Sequence, residues 1–257
     1  MRRHGLWLAW LLLFAMPASA GTATVAAASS LQFALTEASE RFEHDTGHTL
    51  RLNFGSSGNF RRQIAQGAPF ELFLSADERY VEALYNEGHT RDEGVIYAMG
   101  RLVWLQRAGQ GVTLGEDAPL LGVEQALTRH ENGERPRIAL ANPEHAPYGI
   151  AAKQALTHAG LWDQTEPLRV LGENVSQAAQ FALSDDAQGG LVAYSLALVP
   201  PLSERSEYML IPEDWHEPLS QRMVLTRQAG DVAEAFYTWL QQAEGRAIFQ
   251  QHGFSTD

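Results

Sequence analysis

The sequence predicts an α/β fold with two lobes, and two observations support this prediction. Short apolar runs alternate with amphipathic stretches along nearly all of the 257 residues, which is typical of repeated βα units. Two long extended segments, Val95–Gln106 and Gln221–Arg227, interrupt this alternation and resemble crossings between two blocks of such units. The length suits two domains of ordinary size, with a cleft between them.

The first twenty residues have the features of a signal peptide. Arg2 and Arg3 form a basic start, Leu6–Met16 is apolar, and Pro17–Ala20 provides a small-residue cleavage site. The apolar run is short for a membrane span. We therefore expect residues 1–20 to be removed near Ala20, and the mature chain to reside in the periplasm without inserting into the membrane.

The composition excludes several classes of protein. The chain has no cysteine, which rules out both a lipoprotein anchor and disulfide bonds. Its formal net charge is −12, and Lys153 is its one lysine, which argues against nucleic acid and anionic lipid as partners. The same charge repels anions at long range. An anionic ligand would therefore need a local array of hydrogen-bond donors.

The first block alternates strands and helices in a regular order. The pattern predicts strands at Thr22–Ala27, Leu50–Phe54 and Phe70–Ser75, and helices at Leu31–Asp45, Phe60–Gln66 and from Asp77 to about Asn86. Gly47 and Gly67 follow the first two helices as stop signals. Phe70–Ser75 is continuously apolar, as expected of a strand buried on both faces of a sheet.

The second block begins after the crossing at Val95–Gln106, which is too long to remain in one sheet. The pattern of Leu114–Glu134 predicts a polar helical stretch flanked by loops. Strands are then predicted at Arg137–Asn142, Leu168–Leu171, Gly190–Tyr194 and Tyr208–Pro212, and helices at Tyr148–Ala159 and Val175–Leu183. After the returning strand Gln221–Arg227, two helices at Asp231–Gln242 and Glu244–Gln251 complete the chain.

Four short segments at strand-to-helix junctions share one chemical character. They are Ala28–Leu31, Gly55–Asn59, Ala146–Gly149 and Gly172–Ser176, and none has a lysine or arginine at its tip. Helix N-termini expose unpaired N–H groups and the positive end of the helix dipole. Because ligands of open α/β sheets bind beyond the carboxyl ends of the strands, the four segments predict an uncharged cage for a small oxyanion.

Each segment also has an ordinary interpretation. Serine frequently caps helices, so Ser29, Ser30, Ser56 and Ser57 could serve only that purpose. A periplasmic serine hydrolase is the main alternative from another class, with His145 as its base. However, the chain lacks a G-x-S-x-G motif and shows no carboxylate to orient His145, which is better explained as an exposed loop histidine. We therefore expect no enzymatic activity.

The order of motifs along the chain resembles one known family. The motifs are Ala27-Ala-Ser-Ser-Leu31, Gly55-Ser-Ser-Gly58, Gln63-Ile-Ala-Gln-Gly-Ala-Pro69, Leu72-Phe-Leu-Ser-Ala-Asp77, Asn142-Pro-Glu-His-Ala-Pro-Tyr-Gly149, Glu173-Asn-Val175 and Ala247-Ile-Phe249 with Gly253-Phe254. Together they are similar to the periplasmic molybdate-binding proteins of ABC transporters. The resemblance covers essentially the whole mature chain.

This resemblance implies a two-lobed type II periplasmic binding protein fold, with a mixed sheet flanked by helices in each lobe. Lobe I would comprise residues 21–102 and 214–257, and lobe II residues 103–213. The implied ligand is molybdate or tungstate, held through hydrogen bonds without a cofactor or a directly bound metal. Its implied partner is the permease of the cognate transporter, and the protein is expected to be a monomer.

The resemblance also implies the ligand-binding residues. They are Ser30 and Ser57 through hydroxyl and backbone, Tyr148 and Val175 through backbone N–H, and Ser29, which one branch of the family uses. Some members bind with a tyrosine hydroxyl at the position of Ala193, one residue before Tyr194. Those members have alanine where this chain has Tyr148, so Tyr148 supplies the hydroxyl or the site makes one bond fewer.

The residues alone restrict the choice among oxyanions less than the family resemblance does. No Asp or Glu stands at the inferred ligand positions, which disfavours monohydrogen phosphate because its proton needs an acceptor. Sulfate and molybdate both lack a proton near neutral pH, so a sulfate-type receptor remains the alternative. The preference between molybdate and tungstate also stays open.

Overall fold

The computed structural model describes residues 21–110, 115, 117–200 and 202–256, so the expected signal peptide lies outside the described residues. The strands are β1 (Thr22–Ala28), β2 (Thr49–Gly55), β3 (Leu72–Ser75), β4 (Val95–Gly100), β5 (Leu102–Arg107), β6 (Arg137–Ala141), β7 (Arg169–Gly172), β8 (Ala187–Ala193), β9 (Ser206–Leu210) and β10 (Leu219–Leu225). The helices are α1 (Gln32–Thr46), α2 (Ser57–Ala65), α3 (Glu78–Asn86), α4 (Leu121–Glu131), α5 (Pro147–His158), α6 (Val175–Ala182), α7 (Tyr194–Ala197), α8 (Asp231–Leu240) and α9 (Ala243–Gln251). Three short 3-10 helices accompany them, at Ser29–Leu31, Glu166–Leu168 and Glu213–Trp215.

The strands form two five-stranded mixed sheets of the same design. The first has the order β2-β1-β3-β10-β4, and the second the order β7-β6-β8-β5-β9. In the first sheet β1 runs parallel to β2 and β3, whereas β10 is antiparallel to β3 and β4. The second sheet repeats this arrangement, with β6 parallel to β7 and β8 and with β5 antiparallel to β8 and β9. The predicted α/β class with two mixed sheets is confirmed.

The chain changes sheet twice. Arg101 alone separates β4 in the first sheet from β5 in the second, so the predicted crossing within Val95–Gln106 is confirmed. The return leads from β9 in the second sheet to β10 in the first. The strands of the first sheet therefore come from residues 22–100 and 219–225, and those of the second from residues 102–210. The lobe boundaries at residues 102 and 213 stay a prediction.

Several element ends differ from the sequence-based expectation. Helix α2 begins at Ser57 rather than Phe60, because its first turn is polar and contributes nothing to the apolar periodicity. Strand β3 begins at Leu72 rather than Phe70, although all four of its residues are buried as expected. In the predicted helical stretch Leu114–Glu134, the helix is α4, and residues 114 and 116 are outside the description.

One continuous apolar core links the two sheets. It includes buried residues of α1 and β1 on one side and of β5, β6, β8 and α5 on the other. Strand β8 is buried along its whole length, as expected of the centre of a sheet covered on both faces. Within the part of the chain that the structure describes, no helix has the length and apolar character needed to span a membrane.

Candidate functional site

A small cavity lies where the two sheets face each other. Its lining consists of Ala28, Ser29, Ser30, Gly55, Ser56, Ser57, Ala76, Ala146, Pro147, Tyr148 and Val175. All five residues predicted to bind an oxyanion are among them, namely Ser29, Ser30, Ser57, Tyr148 and Val175. The lining residues carry hydroxyl and backbone groups but no charge. The structure thus brings the predicted residues together, while their role in binding stays a prediction.

Four helix starts converge on this cavity from the carboxyl ends of parallel strands. The 3-10 helix Ser29–Leu31 follows β1 and α2 follows β2, whereas α5 follows β6 and α6 follows β7. The first N–H groups of a helix have no acceptor within that helix. Pro147, which has no N–H, is the first residue of α5, so the first N–H group of this helix belongs to Tyr148.

The serines at these helix starts do not act as caps, so the capping interpretation is wrong for them. The N-cap residue of α2 is Ser56, and its side chain makes no capping hydrogen bond. The Ser57 hydroxyl instead accepts a hydrogen bond from the backbone N–H of Ala76, at 3.0 Å. At α6, Asn174 provides the cap by accepting from the N–H of Gln177.

Within each serine pair, the first member bonds across to the other half of the molecule. Ser29 Oγ accepts from the N–H of Ser176 at 3.3 Å, and Ser56 Oγ lies 2.9 Å from His145 Nδ1. The second members differ from this pattern: the Ser57 hydroxyl bonds to Ala76 on its own side, and the Ser30 side chain lies beside the Tyr148 hydroxyl. Ser30 is 2 % exposed, and its Oγ has no hydrogen-bond partner of good geometry among the described residues. A buried orphan hydroxyl indicates a place for a ligand.

His145 is buried, and the expectation of an exposed loop histidine is wrong. It is 7 % exposed, and its carbonyl accepts from the N–H of Gly58 at 2.9 Å. A β-carbon on Gly58 would lie 2.6 Å from that carbonyl, so the close approach needs glycine. His145 therefore joins the two halves at the edge of the cavity.

Ser56, His145 and Glu173 follow one another in the manner of a hydrolytic triad. However, Glu173 Oε2 lies 3.6 Å from His145 Nε2, and the Glu173 side chain is 73 % exposed. A solvated carboxylate beyond hydrogen-bond distance does not fix the orientation or tautomer of the imidazole as a triad requires. The arrangement fits a contact between the two halves better than a nucleophile with its base.

Tyr148 supplies the aromatic hydroxyl of the site. The residue is 2 % exposed, and its hydroxyl accepts from Gln221 Nε2 at 3.2 Å. Burial raises the pKa of Tyr148 well above its ordinary value, and the Ser30 and Gln221 side chains offset part of this rise. The alternative position is different: Ala193 ends β8, and the Tyr194 hydroxyl lies 3.4 Å from that of Tyr208.

Sequence reasoning missed the residues that support the cavity. Ala76 and Gln221 bond to the hydroxyls of Ser57 and Tyr148, and Ser195 donates to the Ser30 carbonyl at 2.8 Å. Ala76 gave no signal because only its backbone takes part. Gln221 gave only the weak signal of an amide at the start of a predicted strand, because its partner Tyr148 lies 73 positions away in the sequence.

The hydroxyls share a property that determines the chemistry of the cavity. Ser57 and Tyr148 each accept a hydrogen bond from the protein, so the proton of each hydroxyl is free for another acceptor. Together with the backbone N–H groups of the helix starts, they present donors. Such a site suits a small anion that accepts hydrogen bonds and carries no proton of its own.

Comparison with known proteins agrees with this chemistry. A family model described as bacterial extracellular solute-binding protein matches residues 23–255. The molybdate-binding protein ModA of Rhodobacter capsulatus is 32 % identical over 254 residues, which cover 97 % of this chain and 94 % of that protein. The predicted resemblance to periplasmic molybdate-binding proteins is therefore confirmed.

Solved structures show the same architecture. The periplasmic molybdate-binding protein of Azotobacter vinelandii matches with a TM-score of 0.80 and 31 % identity, over 91 % of this chain and 99 % of that one. The sulfate-binding protein SubI of Mycobacterium tuberculosis matches with a TM-score of 0.73 but only 13 % identity, over 92 % of this chain and 87 % of that one, which shows the fold alone. From its family match and its relatives, the chain belongs to the bacterial extracellular solute-binding proteins.

Proposed function

We propose that this protein binds molybdate, and tungstate in the same way, in the periplasm and delivers it to the membrane permease of an ABC importer. The observation that carries the proposal is the uncharged cavity in which Ser30 Oγ has no hydrogen bond of good geometry, while the Ser57 and Tyr148 hydroxyls each accept a bond and keep a proton to donate. Ser29, Ser30, Ser57, Tyr148 and Val175 are the proposed ligand-binding residues.

Neutral donors suffice for a dianion in such a place. Water is excluded when the two halves meet, and in the resulting low dielectric each hydrogen bond to a charged oxygen is stronger than in water. No lysine or arginine is then needed beside the ligand. A ligand that bonds to both halves at once favours the closed arrangement and shifts the equilibrium toward it.

The choice among oxyanions rests on donors and on relatives together. A site of donors disfavours monohydrogen phosphate, whose proton would meet no acceptor. It does not discriminate against sulfate by hydrogen bonding. The relatives favour molybdate, because proteins named as molybdate-binding share 31–32 % identity with the chain and the sulfate-binding protein shares 13 %.

Isothermal titration calorimetry of the exported protein with molybdate, tungstate, sulfate and phosphate tests this proposal. We expect tight binding of the first two ions and no measurable binding of the other two. Absence of binding to molybdate would refute the function, and tight sulfate binding would favour a sulfate receptor. Turnover of a nitrophenyl ester, if abolished in Ser56→Ala, would instead support the hydrolase.

Export is tested on the same preparation. Intact-mass measurement of protein recovered from a periplasmic extract should give the mass of residues 21–257. A retained N-terminus in the membrane fraction would contradict the proposed localisation. Delivery is tested in vesicles that contain the cognate permease, where molybdate uptake should require this protein on the outer side.

A further inference from the structure

Three buried polar side chains form a continuous hydrogen-bonded chain that ends at the cavity. The Tyr97 hydroxyl donates to Gln221 Oε1 at 2.9 Å, and Gln221 Nε2 donates to the Tyr148 hydroxyl at 3.2 Å. Tyr97 lies on β4 and Gln221 on β10, so both belong to the first sheet, whereas Tyr148 is the second residue of α5, beside the second sheet. Their exposed fractions are 8 %, 0 % and 2 %.

A local irregularity of the first sheet brings this chain of side chains together. Gln221 of β10 pairs with Ala98 and Arg222 with Ile96, so Tyr97 is the extra residue between them. Such a bulge redirects a side chain that regular pleating would turn away. Tyr97 and Ala98 are accordingly both buried, although they are neighbours on one strand.

Gly100 leaves the space in which the Gln221 amide and the Tyr148 hydroxyl come into contact. A β-carbon at Gly100 would lie 2.3 Å from the Tyr148 hydroxyl oxygen and 2.6 Å from Gln221 Nε2. Neither distance is possible for real atoms, so the contact between Gln221 and Tyr148 depends on glycine at the end of β4. The crossing between the sheets thus begins directly beside this hydrogen bond.

The direction of the hydrogen bonds is the important property. A phenol has one proton, and an amide has an acceptor end and a donor end. Because Tyr97 donates to the amide oxygen, the amide nitrogen faces Tyr148, whose oxygen therefore accepts. The Tyr148 proton is therefore not used by Gln221 and is left for the side of Ser30, a cavity residue that lies beside the phenol. With the amide reversed, Tyr148 would donate to Gln221 and would present lone pairs to an anion.

Both phenols remain protonated, as this arrangement requires. Burial raises the pKa of Tyr97 well above its ordinary value, and the nearby Tyr148 raises it further. Burial likewise raises the pKa of Tyr148. At neutral pH each hydroxyl is therefore a neutral group with one proton to donate.

We propose that Gln221, oriented by Tyr97, is a positioning residue that fixes the Tyr148 hydroxyl as a donor toward the bound oxyanion. This inference rests on the proposed function, because it concerns the same cavity. Its consequence is selectivity. A Tyr148 hydroxyl held as a donor binds an unprotonated, charged oxygen, as in molybdate, more strongly than the protonated oxygen of hydrogen phosphate.

A double-mutant cycle tests the inference through molybdate affinity. Gln221→Met removes the amide with little change of volume, and Tyr148→Phe removes the hydroxyl that it acts on. In the wild-type background we expect Gln221→Met to weaken binding about tenfold, because the hydrogen bond that Tyr148 donates to the charged oxyanion is lost. In the Tyr148→Phe background the same change should weaken binding less than twofold, because no hydroxyl remains to be oriented.

Tyr97→Phe is the second variant, since it leaves both Gln221 and Tyr148 in place. It should weaken molybdate binding severalfold, and this loss should also disappear in the Tyr148→Phe background. Tyr237→Phe, at a half-buried tyrosine outside the cavity lining, is the matched control and should bind as the wild type does. Thermal unfolding of each variant establishes that it is folded.

The outcomes separate this inference from the proposed function. If the wild type does not bind molybdate, the function itself fails, and the inference fails with it. The wild type could bind while Gln221→Met weakens molybdate binding by the same factor in both backgrounds. Gln221 would then affect the protein independently of the Tyr148 hydroxyl, and the inference alone would be overturned. Unchanged affinity in both Gln221→Met and Tyr97→Phe overturns it as well.

Discussion

The two halves of the cavity offer a ligand different atoms. The half beside the first sheet supplies the side-chain hydroxyls of Ser30 and Ser57, whereas the half beside the second sheet supplies helix-start N–H groups at Tyr148 and Val175 with one phenol. The sheets behind them have the same strand arrangement. Sheets of the same design therefore carry two different sets of donors. The donors of the first half are side-chain hydroxyls, whereas those of the second half are mainly backbone N–H groups.

The hydroxyls of the first half also differ from each other. Ser57 Oγ already accepts from the Ala76 N–H, whereas Ser30 Oγ has no partner of good geometry among the described residues. Ser57 thus has a structural hydrogen bond of its own, whereas the Ser30 hydroxyl lies beside the Tyr148 phenol without a hydrogen bond of good geometry. This difference makes the two serines a matched pair for experiments.

Replacing Ser57 should have the largest effect. Ser57→Ala removes a donor to the ligand and leaves the buried Ala76 N–H unpaired, so we expect binding to weaken by about 1–3 kcal/mol and the free energy of unfolding to fall by about 1 kcal/mol. Calorimetric titration with molybdate and denaturant unfolding measure the two effects. Normal binding by this variant would show that the site is assigned wrongly.

Ser30→Ala is the counterpart. It should weaken molybdate binding by about 1–2 kcal/mol, yet it should leave the stability of the ligand-free protein unchanged or slightly higher, since an unpartnered buried hydroxyl is removed. Equal loss of stability in both serine variants would contradict the distinction between them.

Apart from the Tyr148 phenol, the donors of the second half can be tested only through the backbone. Val175 is the first residue of α6, and the Asn174 before it is extended at φ −152° and ψ 173°, a conformation that proline accepts in its predecessor. Val175→Pro therefore removes one N–H and should preserve the helix. We expect molybdate binding to weaken by about 1–2 kcal/mol, measured by calorimetric titration.

Ala243→Pro is the control for this change. Ala243 is the exposed first residue of α9, outside the cavity lining, and the preceding Gln242 is also extended. This variant should bind molybdate with unchanged affinity. If Val175→Pro folds and binds as tightly as the wild type, the second half does not hold the ligand through that N–H.

The same comparison explains how much the sequence could predict. The two sheets, their crossing and the four helix starts follow from apolar periodicity and from glycine, proline and serine at the junctions. The five predicted residues could be named because the motifs at these helix starts resemble those of the periplasmic molybdate-binding proteins, whereas each segment alone indicates only a helix start. The structure places all five around one cavity.

The support around the cavity was beyond such reasoning. Ser56 and His145 form a hydrogen bond although 89 positions separate them in the sequence, and Tyr148 and Gln221 do so across 73 positions. A histidine or glutamine that bonds to so distant a partner looks locally like any other polar residue. The bulge at Tyr97 was equally invisible, because it depends on the register between two strands far apart in the chain.

The contact between the halves should have a smaller effect than the ligand donors. His145→Ala removes the partner of the Ser56 hydroxyl at the edge of the cavity. We expect binding to weaken by about 0.5–1.5 kcal/mol, as for a neutral hydrogen bond, with the ligand-free form more open in small-angle scattering. His44→Ala, at an exposed side chain of α1, is the control and should change neither measurement. A loss as large as that of Ser57→Ala would make His145 part of the ligand site.

The smallest expected effect concerns alkaline pH. Burial raises the pKa of Tyr148 above its ordinary value, so the phenol should keep its proton well beyond the pH at which an exposed tyrosine ionises, about 10. A phenolate would repel the dianion and would have no proton to donate, so ionisation would weaken binding. We therefore expect molybdate affinity to stay level from neutral pH to about pH 10. A decline over this range in the wild type that is absent in Tyr148→Phe would show that Tyr148 ionises, and that its donor role ends, earlier than its burial implies.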